Sequence, residues 1–228
     1  MRQNDRKADC VLLFSGGRDS TLAAVRLGNE YERLVLVTTT TGHMVGIDRV
    51  VGRLSELRRH LSRETVWLQV AVAPEFAQRF VAGHQTCLSC HHSYVAAAVR
   101  IAADYGAHII ATGYTGYQAG WIEQSPYAIS ELEQALQAAN MKLVLPVADI
   151  KTKEEAKKEL RRLGLTDVAL EQKCLRQDID PEDALSDRSK EEIRSWRAVL
   201  EPAIKSPMTI PVQILMMKRL AAVSEAAR

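Results

Sequence analysis

The 228-residue sequence predicts an α/β protein built on a doubly wound, Rossmann-like parallel sheet of five strands. Two observations support this prediction. Short runs rich in Val, Ile and Leu alternate with longer stretches in which apolar residues recur at helical spacing. The first runs are apolar throughout, which is typical of strands that are buried on both faces. Repeated strand–helix units form a parallel sheet, and right-handed crossovers then place helices on both of its faces.

The predicted elements can be assigned in order along the chain. The strands are residues 10–14, 34–38, 66–72, 108–112 and 142–145. The helices are residues 18–27, 47–61, 74–82, 93–105, 126–139 and 152–163. Thr152 and Glu155 have the spacing of a capping box, and Gly164 is suited to end the same helix. Ligands of such sheets bind at the carboxyl ends of the strands, so the loops that follow four of the strands should face the site. These loops begin after Phe14, Thr38, Val72 and Thr112.

The composition changes after about residue 176. We therefore expect a sheet domain over residues 1–176 and a short helical C-terminal extension over residues 177–228. Residues 178–192 hold seven acidic and two basic side chains, three prolines follow, and residues 212–227 have the spacing of a last amphipathic helix. An extension of this length is too short for an independent domain. It is expected to pack on the sheet domain or on a second subunit, as in a homodimer.

Composition excludes several classes of protein. With 46% hydrophobic and 25% charged residues, the chain is neither collagen-like nor disordered. A net charge of +2 neither identifies nor excludes nucleic acid as a partner. No run of about 20 apolar residues predicts a membrane span, and the polar first ten residues predict no secretory signal. A cytoplasmic location is expected, where four cysteines indicate metal or redox chemistry rather than disulfides.

The strongest chemical signal is the Ser-Gly-Gly-Arg-Asp-Ser segment at residues 15–20, between the first strand and the first helix. Glycines let the backbone turn tightly, and the amide groups that open a helix favour a phosphate. The carboxylate of Asp19 in such a site indicates Mg²⁺. The segment is neither a Walker loop nor a GxGxxG loop. The residues expected to contact a nucleotide are Ser15, Gly16, Gly17, Arg18, Asp19, Ser20 and Thr21.

Residues 11–21 resemble the PP-loop, SGGxDS, of the ATP pyrophosphatase family. Members of that family cleave ATP between the α- and β-phosphates and pass AMP to a substrate oxygen. The resemblance implies the PP-loop ATPase fold and ATP as the bound nucleotide. It also implies that adenine lies near Thr38, at the end of the second strand. Asp19 and Lys153 are the expected catalytic residues, with Lys153 reaching a phosphate.

Cysteine residues give the second signal. Cys87 and Cys90 form a C-x-x-C motif just before a predicted helix, and Cys174 lies in a later loop. From the residues alone, three interpretations stay open. The three thiolates could bind a metal ion or a cluster, His91 or His92 could complete a Cys₃His zinc site, or Cys87 and Cys90 could be a redox pair.

A second resemblance covers residues 87–124. It is to the iron–sulfur tRNA thiolation enzymes, above all the archaeal 4-thiouridine synthetases. They show a C-x-x-C motif, a helix, an apolar strand and then Thr-Gly with Gln shortly after, here Thr112-Gly113 and Gln118. A Pro and a Lys-Glu-Glu stretch follow, here Pro146 and residues 153–155, and then a third cysteine. The resemblance implies that Gly113 and Gln118 belong to the cofactor-binding residues.

The same resemblance implies that Cys87, Cys90 and Cys174 hold a [4Fe–4S] cluster with one open iron. The implied reaction is an ATP-dependent sulfur transfer, in which a carbonyl oxygen of the substrate is adenylated, pyrophosphate is released and sulfur replaces AMP. A sulfur donor is then required. The acceptor is tRNA or a small molecule, since the additional RNA-binding module that such enzymes usually carry is not recognisable here.

Two basic stripes could contact RNA, but an ordinary solvated helix face is the favoured explanation of both. One stripe consists of Arg49, Arg53, Arg58 and Arg59 on a predicted helix and Arg63 just beyond it, and the other of Lys157, Lys158, Arg161 and Arg162. Two other functions also stay open. Ammonia in place of sulfide would give an amide- or nitrile-forming ligase resembling 7-cyano-7-deazaguanine synthase, with structural Zn²⁺ on the cysteines. The third function is that of a non-catalytic nucleotide-binding protein.

Overall fold

A six-stranded sheet and a separate two-stranded ribbon organise the protein. The computed structural model describes residues 8–77, 79, 87–175 and 187–220. The strands are β1 (Cys10–Leu13), β2 (Leu34–Thr39), β3 (Met44–Val45), β4 (Val66–Val72), β5 (Ile109–Ala111), β6 (Lys142–Val144), β7 (Lys173–Cys174) and β8 (Val212–Arg219). The sheet has the order β6-β5-β1-β2-β4-β8, and β3 pairs with β7 outside it. The first five strands of that order are parallel, and β8 is antiparallel to β4.

Helices cover both faces of the sheet. They are α1 (Arg18–Gly28), α2 (Ile47–Leu57), α3 (Pro74–Ala77), α4 (Leu88–Tyr105), α5 (Pro126–Gln137), α6 (Lys153–Arg162) and α7 (Asp187–Lys205). The apolar faces of α1, α2 and α6 pack on one side, and those of α4, α5 and α7 pack on the other. Successive residues of β1 face opposite clusters, with Val11 on the α4 side and Leu12 on the α1 side. The predicted doubly wound α/β fold is therefore confirmed. In the described ranges, no helix combines the length and apolarity needed to cross a bilayer.

The first residues of α6 and α4 carry two features that the sequence predicts, a capping box and the C-x-x-C motif. Thr152 accepts a hydrogen bond from the amide of Glu155, and the Glu155 carboxylate accepts one from the amide of Thr152, each at 3.1 Å. The predicted capping box is thus confirmed. Helix α4 begins at Leu88 rather than at residue 93, because the C-x-x-C motif is itself the start of the helix. Cys87 is its N-cap residue, and Cys90 lies in its first turn.

The predicted last helix is wrong over Val212–Arg219, which forms β8. The apolar residues of this segment have a spacing that suits a helix as well as a strand. Without β8, however, the outer edge of the seven-residue strand β4 would lack a hydrogen-bonding partner. Hydrogen bonds to that edge therefore override the local pattern. Leu220 is described and is not helical, and residues 221–227 of the predicted helix lie outside the described residues, as do residues 78 and 80–82 of the helix predicted at 74–82 and most of the acidic stretch at 178–192.

Candidate functional site: a phosphate loop beside a cysteine cluster

The loop that follows β1 needs its first glycine. Gly16 has a φ angle of +82°, which favours glycine. A Cβ atom there would also lie 3.0 Å from the carbonyl oxygen of Leu170 and 3.2 Å from the Cα atom of Val50. The next residue, Gly17, is the N-cap of α1, and its amide donates to Ser15 Oγ at 3.1 Å. The loop is therefore tightly packed from behind and open only toward the ends of the strands.

Hydroxyl groups stabilise the loop from within. The Oγ atoms of Ser15 and Ser20 lie 3.0 Å apart, and Ser20 Oγ donates to the Gly17 carbonyl at 3.3 Å. Thr21 Oγ1 donates to the same carbonyl at 2.6 Å and is fully buried. Thr21, which the sequence placed against a phosphate, thus supports the loop from behind. Ser15 and Ser20 face the open side.

A cavity of about 400 Å³ opens in front of the loop, at the carboxyl ends of β1, β2 and β5. Most of the predicted site residues meet on its walls, namely Ser15, Gly17, Arg18, Asp19, Ser20, Thr38, Gly113, Gln118 and Cys174. Lys153 is exposed at the start of α6 and does not line this cavity, but its charge acts on Asp19. The loops predicted to face a site after β1, β2 and β5 do so.

Tyr117 holds the carboxylate of Asp19. Its hydroxyl lies 2.7 Å from Oδ1 and 2.8 Å from Oδ2, so it donates to this carboxylate. Burial raises the pKa of Asp19 above its usual value, while this hydrogen bond and the positive charges of Arg18 and Lys153 act in the opposite direction. Sequence reasoning missed Tyr117. Its place next to Gln118, in the loop after β5, was the available signal.

Two further predicted residues fix the shape of the cavity. A Cβ atom on Gly113 would lie 2.7 Å from the amide nitrogen of Ser20, so the loop after β5 touches the first turn of α1. Thr38 Oγ1 donates to the Phe14 carbonyl at 2.5 Å and accepts from Trp67 Nε1 at 2.9 Å. Its hydroxyl therefore joins neighbouring strands, and Thr38 acts on a ligand through the wall that it builds.

An irregular segment, residues 166–172, closes the back of the loop. We call it the strap. The guanidinium of Arg53, which is fully buried, donates to the carbonyl oxygens of Thr166 at 2.9 Å and Val168 at 2.5 Å. It also pairs with Glu56 at 2.5 Å and reaches the Gly16 carbonyl at 3.4 Å. Arg53 therefore connects the strap to residues 15–20, which we call the phosphate loop.

This arrangement corrects the predicted basic face of α2. Arg53 is buried, and Arg49 is turned to the strap, where its Nη2 donates to the Ala169 carbonyl at 2.6 Å. Helical periodicity placed both on a solvated face, but the strap, which is more than 100 residues further along the chain, covers that face. Arg58 and Arg59 remain exposed. The RNA-facing stripe proposed from the sequence thus loses two of its five arginines.

The strap also contributes an unforeseen carboxylate. Glu171 lines the cavity, and its Oε2 atom is buried without a hydrogen-bond partner in the described part of the chain. This atom would lie 3.1 Å from a Cβ atom placed on Gly17, so it faces the phosphate loop directly. Asp19 is on the same cavity wall, and the charge of Glu171 adds to the causes that raise the Asp19 pKa. No local sequence pattern marks Glu171.

Cys87, Cys90 and Cys174, which we call the cysteine cluster, lie beside the same cavity. The β3–β7 ribbon pairs Met44 with Cys174, and the next amide, that of Leu175, donates to the His43 carbonyl at 2.9 Å. Cys90 Sγ lies 3.9 Å from His43 Nε2. None of the four cysteines, all of which are in described segments, forms a disulfide.

The pKa of the Cys87 thiol is raised to about 11, chiefly by desolvation and also by the charges of Glu123, Cys90 and Cys174. The action of both other thiols on Cys87 indicates that the three side chains lie in one region. Among the described residues, however, no three Cys, His, Asp or Glu side chains are close enough together to hold a metal ion. The structure thus brings the predicted ligands to one place without arranging them as a metal site.

The structure pairs each histidine of the predicted Cys₃His alternative with an aromatic residue. His91 lies within hydrogen-bond distance of the Tyr114 hydroxyl, at 3.1 Å, and burial lowers its pKa to about 4. His92 is buried against the ring of Trp196 on α7. The histidine beside Cys90 is His43, to which the sequence gave no role.

A second cavity, of about 600 Å³, adjoins the first at the carboxyl ends of β2 and β4. Cys90 and His43 are on its wall, together with Thr40 and Thr41, and no Asp, Glu, Lys or Arg is among its described lining residues. The four-threonine run at residues 38–41 therefore continues from one cavity to the next. The cysteine cluster lies between a polar cavity and an uncharged one.

Neither a protein-family model nor a curated protein sequence matches the chain. Solved structures do match. A 4-thiouridine synthetase, crystallised as an RNA complex with bound ATP, has a TM-score of 0.60 at 17% sequence identity, over 92% of this chain and 55% of that chain. The chain thus spans about half the length of that synthetase. This likeness shows that the chain shares the fold of that synthetase.

Two other solved structures match less well. A predicted subunit of tRNA methyltransferase from Methanocaldococcus jannaschii has a TM-score of 0.43 at 17% identity, over 70% of this chain and 90% of that chain. The U34-tRNA thiolase NcsA from Methanococcus maripaludis, with its [4Fe–4S] cluster, has a TM-score of 0.48 at 16% identity, over 87% of this chain and 74% of that chain. Both scores are below 0.5, so neither bears on the fold.

Proposed function

We propose that the protein is an ATP-dependent sulfurtransferase, which adenylates a carbonyl oxygen of its acceptor and replaces that oxygen with sulfur. The observation that carries the proposal is the position of Cys174 on the wall of the cavity that the phosphate loop also lines. An activated acceptor and a sulfur carrier would then meet in one enclosure. The matching synthetase, whose crystals hold RNA and ATP, supports tRNA as the acceptor class.

The phosphate loop performs the first step of the proposed reaction. The amides that open α1, with the hydroxyls of Ser15 and Ser20, bind the pyrophosphate portion of ATP. A carbonyl oxygen of the acceptor attacks the α-phosphorus, the bond from this phosphorus to the bridging oxygen of pyrophosphate breaks, and the acceptor loses its ring N–H proton. Asp19 and Glu171 are the carboxylates that would hold Mg²⁺, which neutralises the departing pyrophosphate. Lys153 contributes a positive charge from the α6 side.

The cysteines serve the second step. Cys87, Cys90 and Cys174 would hold a [4Fe–4S] cluster, because three soft thiolates suit iron–sulfur chemistry. When bound, the cluster supplies an iron position for sulfide-level sulfur. A carbon–sulfur bond forms on the adenylated acceptor, the carbon–oxygen bond breaks, and AMP leaves. The raised Cys87 pKa means that loading releases thiol protons. Since no three ligands are within metal-binding distance, these side chains must also move toward one another.

The uncharged cavity is the proposed acceptor site. It touches Cys90, and hydroxyl groups of Thr40 and Thr41 are its polar features near that residue. A neutral heteroaromatic ring that carries a carbonyl group, as in a nucleobase, suits a cavity whose described lining residues include no Asp, Glu, Lys or Arg. The phosphate groups of a nucleic acid would then stay outside it.

Anaerobic purification tests the proposal. We expect a brown protein with iron and acid-labile sulfide in equal amounts, which releases pyrophosphate from ATP when unmodified tRNA is added. The C174A variant should lose most of the iron, whereas C10A, which removes a thiol from the buried core, should keep it. A colourless wild-type protein that binds ATP and carries no iron would refute the sulfurtransferase.

One observation favours a second candidate. Two ligands of a tetrahedral zinc ion lie about 3.6 Å apart, from zinc–sulfur and zinc–nitrogen bonds of about 2.3 and 2.1 Å. The distance from His43 Nε2 to Cys90 Sγ is 3.9 Å. A structural Cys₃His zinc site with His43 as the fourth ligand would leave adenylation intact and suit an amide- or nitrile-forming ligase. One equivalent of zinc, lost in H43A but retained in H92A, together with pyrophosphate release that depends on ammonium, would establish this candidate instead.

A further inference from the structure

We infer that β8 is a homodimer interface, where its outer edge pairs antiparallel with β8 of a second copy of this chain. The inference rests on the sheet and its surface, and it does not depend on the reaction proposed above. The C-terminal extension was expected to contact a second subunit, and the inference assigns that contact to the outer edge of β8.

Exposed apolar side chains are concentrated on β8. Ile214, Leu215, Met216 and Met217 follow one another, and each is 39–47% exposed. In the described ranges, nine large hydrophobic residues are at least 38% exposed, and these four are the only consecutive ones. Scattered exposed apolar residues need no explanation, but a continuous patch at a sheet edge indicates a binding surface.

The backbone of β8 points to the same surface. Its inner edge is paired with β4 from Val66 to Val72, and β8 ends the strand order of the sheet. Within the described residues, no strand pairs with its outer edge. An eight-residue edge of this kind presents unpaired amide and carbonyl groups that another strand can bind. A bulge at Leu215, which has no partner on β4, interrupts the ladder, and pairing continues on both sides of it.

The distribution of charge on β8 suits an identical strand in antiparallel orientation. The charges of β8, on Lys218 and Arg219, are both at its C-terminal end. In an antiparallel pair centred between Leu215 and Met216, Ile214 lies opposite Met217 of the second copy, and the basic ends are at opposite extremes. A parallel pair would place Lys218 next to itself, which like-charge repulsion disfavours. The antiparallel pair has two-fold symmetry, which is the commonest symmetry of soluble oligomers.

Oligomeric state tests the inference on the full chain. Light scattering after gel filtration should give twice the chain mass of 25.4 kDa for the wild type at micromolar concentration. The double variant I214K/M217K should be monomeric, with a dimer dissociation constant at least 100-fold higher, because it places four lysines in the interface. V168K is the matched control, since Val168 is 55% exposed and distant from β8 in sequence, and it should remain dimeric. A monomeric wild type, or a double variant that still dimerises, would overturn the inference.

A second measurement keeps the test decisive if the double variant fails to fold. In the wild type, hydrogen exchange of the amides of residues 213–218 should slow as the protein concentration rises, while that of α6 should not change. Protection at every concentration in a monomer would instead mean that a segment of the same chain covers the edge. That result would exclude a second copy as the partner of β8. A truncated variant that ends at Leu220 would then lose the protection of these amides.

Discussion

The two halves of the candidate site are built in different ways. On the phosphate side, the loop is held by its own hydroxyl groups, by Arg53 through the strap and by the contact between Gly113 and Ser20. On the cysteine side, the start of α4 and a ribbon of two residue pairs bring three thiols near one another, and among the described residues no three ligands are grouped closely enough to hold a metal ion. Contacts within the protein therefore fix the shape of the phosphate loop, whereas the proposed cluster would have to draw the three thiols together.

Removing the guanidinium of Arg53 should have the largest effect. R53A removes the Arg53 donor from the Glu56 carboxylate and from three carbonyl groups, so we expect the free energy of unfolding to fall by about 3–5 kcal/mol. Chemical denaturation measures this loss. R58A, an exposed arginine just after the same helix, should change it by less than about 0.5 kcal/mol. Equal effects of the two variants would mean that the strap does not depend on Arg53.

Crowding the contact between the loops should have the next largest effect. In G113A the new methyl group meets the Ser20 amide, so we expect a loss of about 1–3 kcal/mol in unfolding free energy and weaker ATP binding by calorimetry. G120A is the control, because nothing lies within 4 Å of a Cβ atom at that position. If G113A bound ATP like the wild type, the nucleotide would not require the α1 start and the β5 loop to meet.

Removing the Tyr117 hydroxyl should have a smaller effect, which depends on pH. Y117F deletes hydrogen bonds to Asp19, so it should cost about 1 kcal/mol near neutral pH and raise the Asp19 pKa further. With the folded-state pKa above the unfolded value, the folded protein binds more protons, and stability falls as pH rises from 3.8 through the folded-state pKa. This fall should be steeper in Y117F. Denaturation at pH 3 and pH 7 tests the prediction, and an equal cost at both would contradict it.

The smallest effect is expected on the cysteine side in metal-free protein. C87A removes an exposed residue, so it should change the free energy of unfolding by less than about 0.5 kcal/mol after chelation. C10A, in the buried core, should cost more under the same conditions. Denaturation of both variants without metal gives the comparison directly. A large loss in metal-free C87A would show that the thiol side is preformed as well, and the contrast between the halves would disappear.

What the sequence could predict follows from the range of each interaction. The Ser-Gly-Gly-Arg-Asp-Ser loop and the Thr152 capping box depend on residues close in the chain, and local pattern was sufficient for both. The burial of Arg53, the carboxylate of Glu171 and the position of His43 depend on the strap and the β3–β7 ribbon. These contacts join distant parts of the chain and leave no periodic signal. The strand β8 was mistaken for a helix because only the edge of β4 decides between the two.

The strap has a mechanical consequence for the whole site. The amide of Leu170 donates to the Gly16 carbonyl at 3.3 Å, and Cys174 is only four residues further along the chain. A residue spans at most about 3.6 Å, so the Cα atom of Cys174 cannot lie more than about 14 Å from that of Leu170. The short covalent connection therefore limits how far Cys174 can lie from Leu170. In the proposed reaction, Cys174 therefore cannot lie far from the phosphate loop, whatever the positions of Cys87 and Cys90.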